Sequence, residues 1–216
     1  MPKTHSPISQ RIESSLDFDK RVFFLILVIL FLTIRIITND IIIKSIPGYE
    51  ELEADGAFSY MHIFNTLNYL WTPFSLLWKF TLTAFVIWTG AFAFGHKVSF
   101  KALWQFVMVA ELVFLFPEII RMLVFINPAE STSYIEIKNY YPLSLLQLFD
   151  ASEISAKYLY PLQAINFFEL LYVAVLVLGF HTLSYRSIRE SSIVVVCSYF
   201  LLFLLWLLFY ILVYRG

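Results

Sequence analysis

Six charged residues stand within otherwise apolar stretches, and they are the ones whose chemistry asks for an explanation: Arg35, Lys79, Glu111, Glu118, Arg121 and Glu169. An ionised side chain at the centre of a membrane helix costs about 2.5–3.5 kcal/mol on insertion scales, so each needs a partner or a purpose. Glu111 and Glu118 are seven residues apart, which puts them on one face of a continuous helix. Arg121 follows Glu118 by three, within reach along the same face. Pro117 removes a backbone donor beside Glu118 and predicts a kink there. Three readings of this E-x6-E-x2-R stripe stay open. In the first, Glu118 pairs with Arg121 while Glu111 or Glu169 pairs with Lys79 across helices, three positive charges meeting three negative. The second is a proton or ion path, or a polar groove for a lipid headgroup. The third is a partner protein carrying the matching charge.

Other chemistry is missing. His5, His62, His96 and His181 have no H-E-x-x-H spacing, so zinc-protease geometry is absent, and each falls near an expected boundary between apolar and polar segments. Glu50-Glu51 begins the E-E-x-x-x-R pattern of intramembrane CAAX-type proteases, but Asp55 stands at the arginine position and the pair falls in a loop. Cys197 lies in an apolar run and reads as a buried, inert thiol. There is no Walker A pattern, no G-x-S-x-G and no D-x-D-x-D-G calcium loop, and six glycines are too few for a phosphate-cradling loop. The expectation is a non-enzymatic chain with no catalytic residue, metal ligand set or cofactor.

The elements that position these charges follow from composition. The chain has 216 residues, of which 60% are apolar, 19% aromatic and only 14% charged, with a mean hydropathy of +0.76. Soluble domains carry about 25% charged residues, so the solvent for most of this surface must be lipid. A net charge of −1 argues against a nucleic-acid partner. Apolar runs of about 20 residues predict an all-α bundle of five transmembrane helices, near 22–43, 67–94, 102–126, 161–180 and 193–214. They form one domain, 22–216, behind a polar N-terminal segment, 1–21. Asn127-Pro128 ends the third helix and Pro161 suits the start of the fourth. A cleaved signal peptide is the rival reading of the first run, but no small-residue cleavage site follows it.

Five spans put the termini on opposite sides. With the N-terminus inside, the inner segments carry eight Lys or Arg in 38 residues and the outer ones four in 59. The positive-inside rule therefore predicts N-in and C-out. The outer loops are acidic: Glu50, Glu51, Glu53 and Asp55 in the first, and Glu130, Glu136, Asp150 and Glu153 in the second. Tyr140-Tyr141-Pro142 followed by Leu143, Leu145, Leu146, Leu148 and Phe149 predicts a short helix lying in the outer interface. Tyr140, Tyr141, Leu145, Leu146 and Phe149 are its candidate docking residues, and Tyr134, Tyr158 and Tyr160 are candidates for the aromatic belt.

Two stretches resemble the bacterial branch of the Yip1 family of five-span membrane proteins. One is Gly95-His96-Lys97-Val98-Ser99-Phe100-Lys101-Ala102-Leu103-Trp104, followed by Ala110. The other begins at Pro161-Leu162-Gln163-Ala164-Ile165-Asn166-Phe167-Phe168 and reaches Leu178-Gly179-Phe180, then a basic turn and an apolar last helix. Asn166 stands where that family's stretch often has an acid. The D-x-x-G-P signature of the eukaryotic members is absent, so their vesicle-traffic role is not implied. The resemblance spans residues 66–214 and implies five spans. Together with the Phe- and Ile-rich composition it leads to the expectation of a bacterial inner-membrane protein, either a scaffold or accessory subunit of a membrane complex, a small carrier, or a lipid-handling protein. Its partners would be membrane lipids and another membrane protein or a second copy of itself.

Overall fold

The structure, a computed structural model, describes residues 18–56, 58–127, 132, 134–151 and 153–214, without the side chains of Tyr134, Ile135 and Lys138. Most of the N-terminal segment, Glu130, the Tyr134 ring, Lys138 and Arg215 therefore lie outside the described residues. The chain is all-helical, with no strand among the described residues. Four helices are long and apolar enough to cross a membrane: 20–44, 59–93, 167–184 and 188–213.

The first helix, α1, runs Lys20–Lys44, capped by the Asp19 carboxylate, which accepts from the backbone N–H groups of Arg21 and Val22. A short α2, Tyr49–Ala54, follows. Then comes α3, Ser59–Ala93, whose 35 residues extend eight residues earlier than hydropathy predicts. Those early turns contain Tyr60, His62, Asn65 and Thr66, which are helix-compatible but too polar for a hydropathy window. Pro73 sits inside α3. Nearby, Thr72 and Ser75 hydroxyls donate to the Asn68 and Thr72 carbonyls, at 2.9 Å each.

The third predicted helix is interrupted. It divides into α4 (Phe100–Ala110), a tighter 3-10 turn (Glu111–Phe114) and α5 (Leu115–Phe125). The cause is Pro117: it has no N–H for the Val113 carbonyl, and its ring crowds that group, so the ladder changes pattern one turn ahead of it. Backbone angles stay right-handed helical through both junctions.

The stretch between the third and fourth predicted helices differs from the predicted single interfacial helix. It forms α6 (Tyr134–Asn139), a 3-10 turn (Leu145–Leu148) and α7 (Ala156–Ala164). Leu143 adopts a left-handed φ of 55°, which cannot propagate a helix from Pro142. Leu145 N–H donates to the Ile165 carbonyl and Phe167 N–H to the Leu143 carbonyl, both at 3.0 Å. The fourth predicted helix accordingly starts later. Pro161 lies inside α7, Ile165 and Asn166 are extended, and α8 runs Phe167–Ser184 with the Asn166 side chain accepting from Glu169 N–H at 2.9 Å. Asparagine is among the strongest N-caps, so the break falls where that side chain supplies the missing acceptor.

The last predicted helix begins at a Ser187–Glu190 capping box. It comprises α9 (Ile188–Val195), one π turn (Val196–Phe200) and α10 (Leu201–Val213). The core gathers on α3, α4 and α8: Phe80, Ala84, Ile87, Val107, Met108, Tyr172 and Phe180 are fully buried. Two glycines set the closest approaches. A Cβ on Gly179 would lie 2.0 Å from the Phe106 ring, and one on Gly90 would lie 2.4 Å from the Ser198 Cβ. Small residues at helix crossings let backbones approach where lipid-like packing leaves no hydrophobic drive between helices. The outer surface is apolar, with Phe74, Trp78, Phe92, Trp206 and Leu212 more than half exposed.

Candidate functional site

Three of the polar groups inside the bundle converge on one place. Lys79, midway along α3, points its Nζ to within 2.9 Å of Glu111 Oε2 in the 3-10 turn. Glu111 is completely buried, while the Lys79 side chain is 43% exposed. Tyr172 of α8 donates its hydroxyl to Glu111 Oε1 at 2.8 Å. Lys79 Nζ also lies 3.5 Å from the centroid of the Phe114 ring, a cation–π contact. An ammonium, a carboxylate and a phenol from three elements thus close on one another. One of the pairings the sequence left open is the one that forms, with Glu111 as the partner of Lys79.

Glu169 is held separately. It sits in the first turn of α8, buried, and accepts from the Tyr199 hydroxyl at 2.9 Å. Tyr199 belongs to the π turn, and its ring packs edge-on to Tyr172 at 5.6 Å. Among the described residues the second carboxylate oxygen of Glu169 meets no protein donor.

Glu118 and Arg121 depart from expectation. No Glu118–Arg121 ion pair forms; Arg121 Nη2 donates to the Ile137 carbonyl at 3.0 Å, tying α5 to α6. The shared face of Glu111 and Glu118 is disturbed as well. A 3-10 turn advances about 120° per residue against about 100° in an α-helix, so four residues turn Glu118 by roughly 80°, from about 20° on one side of Glu111 to about 60° on the other. Glu111 ends up in the core and Glu118 half-buried outside it. Arg35 donates to the Thr72 hydroxyl at 2.9 Å, on the neighbouring α3.

Lys79 and Glu169 line a recess of about 750 Å³ between α3, α7 and α10. Its walls include Trp78, Phe114, Tyr141, Tyr160, Phe203 and Trp206, with Gln163 and Asn166 at its margin. Beside it runs an apolar groove of about 460 Å³, formed by Leu202, Leu205 and Phe209 and sharing Leu82, Tyr199, Phe203 and Trp206 with the recess.

The predicted docking residues separate. Tyr140 packs edge-on to Phe125 at 5.0 Å, Tyr141 lines the recess and Leu146 is buried, whereas Leu145 and Phe149 remain exposed. Cys197 is exposed on the apolar surface rather than buried, because the π turn carries it outward. In the acidic first loop, the hydrogen bond from Tyr49 to Glu53 pushes the phenol up to about 12. Among the described residues no group of His, Cys, Asp and Glu has the arrangement of a metal site.

The sequence reading missed Tyr172, Tyr199 and the two recess tryptophans. A signal existed for the tyrosines: a phenol in the middle of an apolar helix must find a hydrogen-bond partner. No family model, curated protein or solved structure matches the chain, so the resemblance to the Yip1 family stands on its two sequence stretches alone.

Proposed function

We propose that this chain is a non-enzymatic, five-span helical membrane protein, N-in and C-out, of a bacterial inner membrane, acting as a scaffold or accessory subunit of a membrane complex. The observation that carries the reading is the closure of Lys79, Glu111 and Tyr172 on one another. Internal charge is spent joining helices instead of forming a relay across the bundle. The fifth span is α4, the 3-10 turn and α5 taken together. These 11, 4 and 11 residues reach about 40 Å at the usual rises, more than the roughly 30 Å of a hydrocarbon core. The orientation rests on the lysine and arginine bias, and membership of the Yip1 family's bacterial branch on residues 95–104 and 161–180. Purification from native membranes at native expression level, with mass spectrometry of what co-elutes, tests the role. A stoichiometric membrane-protein partner supports it; a lone chain or homo-oligomer overturns it.

A second reading, lipid handling, is favoured by the recess. It has the size of a ligand site, combines polar and aromatic walls, and adjoins a groove suited to an acyl chain. A carrier is the weaker alternative, since the one fully buried carboxylate is already engaged by Lys79.

A further inference from the structure

We propose that the recess binds the headgroup of a phospholipid bearing a primary amine, with an acyl chain lying in the adjoining apolar groove. The proposal rests on the lipid-handling reading and names the ligand class. The argument begins with hydrogen-bonding capacity. Asn166 commits both amide hydrogens to the Gln163 and Ala164 carbonyls, and Gln163 commits one of its two to the Asn139 carbonyl. Lys79 and Glu169 are not exhausted. An ammonium carries three donors, and Glu111 Oε2 meets it as an ion pair at 2.9 Å without the geometry of a hydrogen bond. A carboxylate accepts on both oxygens, and Tyr199 occupies one. The two charged groups with spare capacity are thus one donor cation and one acceptor anion lining the same recess.

Charge then selects the ligand. Glu111 compensates Lys79, and Glu169 has no second cation paired with it among the described residues. A purely anionic headgroup would add charge of the wrong sign. A zwitterion carrying a phosphate and a primary ammonium meets both demands: phosphate oxygens accept from Lys79, and the ammonium donates to the second oxygen of Glu169. Trp78, Trp206 and three tyrosines line the recess with that carboxylate, and aromatic rings attract a cation. A quaternary ammonium would gain the aromatic contact but has no N–H to give Glu169. The tail has its place too, because the recess and the groove share four wall residues and the groove is almost wholly apolar.

The experiment uses the full chain, stripped of co-purifying lipid by detergent exchange and offered equimolar dioleoyl phosphatidylethanolamine, phosphatidylcholine and phosphatidylglycerol. Native mass spectrometry reads what is retained. One phosphatidylethanolamine per chain is expected, at about tenfold over phosphatidylcholine, the factor that one charge-assisted hydrogen bond commonly gives. Glu169→Gln keeps an acceptor for Tyr199 and is expected to bring the two lipids within about threefold of each other. Phe203→Trp, which fills the junction of recess and groove, is expected to lower retention of every lipid. Thermal melting of each variant reports whether it is folded. Retention without preference for the amine, a preference for phosphatidylglycerol, or selectivity that survives Glu169→Gln in a folded protein overturns the headgroup assignment and leaves lipid handling standing. Retention of no lipid at all, or retention unaffected by folded Phe203→Trp, overturns the lipid-handling reading with it.

Discussion

Lys79→Met separates a structural ion pair from an incidental one. Methionine keeps most of the aliphatic stem and removes the charge, leaving Glu111 fully buried with only the Tyr172 hydroxyl as a partner. Removing one member of a buried pair costs about 3–5 kcal/mol. A loss of that size is therefore expected. Glu111→Gln leaves Lys79, which is 43% exposed, without its partner and costs less, about 1–2 kcal/mol. The double variant is expected to lose less than the two single losses combined, with a coupling of about 2 kcal/mol. Equilibrium unfolding in mixed detergent micelles, followed by tryptophan fluorescence, measures all four proteins. Coupling below about 0.5 kcal/mol would refute the account.

Other consequences are simpler. Gly179→Ala forces a Cβ into the Phe106 ring and is expected to cost about 1–3 kcal/mol, with Phe106→Leu restoring part of it in the same unfolding assay. Asn166→Ala removes the α8 cap and is expected to cost about 1 kcal/mol. Glu118→Gln has no described ion pair to lose, so its stability should stay within about 0.5 kcal/mol of wild type, and a larger loss would restore the Glu118–Arg121 pair to consideration. In a Cys197→Ser background, Leu148→Cys should react with an impermeant thiol reagent from outside the cell and Val98→Cys should not. Labelling of position 98 from outside reverses the proposed orientation.

Much of the fold was legible because bilayer thickness turns composition into length. Helices near 22–43 and 193–214 lie within a few residues of the observed apolar runs. The stretch from Gly95 to Ser99 is a break, as its glycine and hydropathy imply, with Gly95 at a left-handed φ of 73°. What hydropathy could not convey is rotation about the helix axis. The seven-residue spacing of Glu111 and Glu118 is a valid face argument only for an unbroken α-helix, and Pro117 was read as a kink beside Glu118 when its effect falls one turn earlier. Likewise Pro161 suits a helix start, but the start that matters is set by the side chain of Asn166. The candidate site was half legible. Charge in apolar surroundings pointed to Lys79, Glu111 and Glu169, whereas the phenols that complete their bonding carry no charge and escaped notice.

The three places where the helices depart from ideal geometry are also the three places that supply the site. The 3-10 turn carries Glu111, the extended pair Ile165-Asn166 precedes Glu169, and the π turn carries Tyr199. In a regular bundle each of these groups would follow the 3.6-residue repeat of its helix. Irregular backbone within apolar surroundings leaves carbonyls and N–H groups unbonded unless neighbouring groups satisfy them. Here Asn166 caps one break with its own side chain, and the 143–145 segment bonds across it. The other two stay within a helical ladder that has only tightened or widened. That three separate helices each depart from regularity beside one recess argues that the recess, not the bundle's stability, is what the departures serve. Stability alone would be met as well by unbroken helices with the whole network made apolar. Lys79→Leu, Glu111→Leu and Glu169→Leu combined with Tyr172→Phe and Tyr199→Phe, which strand no hydroxyl, are therefore expected to leave the fold at least as resistant to unfolding as wild type, while abolishing selective lipid retention. A combined variant that unfolds more readily than wild type would show that the polar network itself holds the helices together.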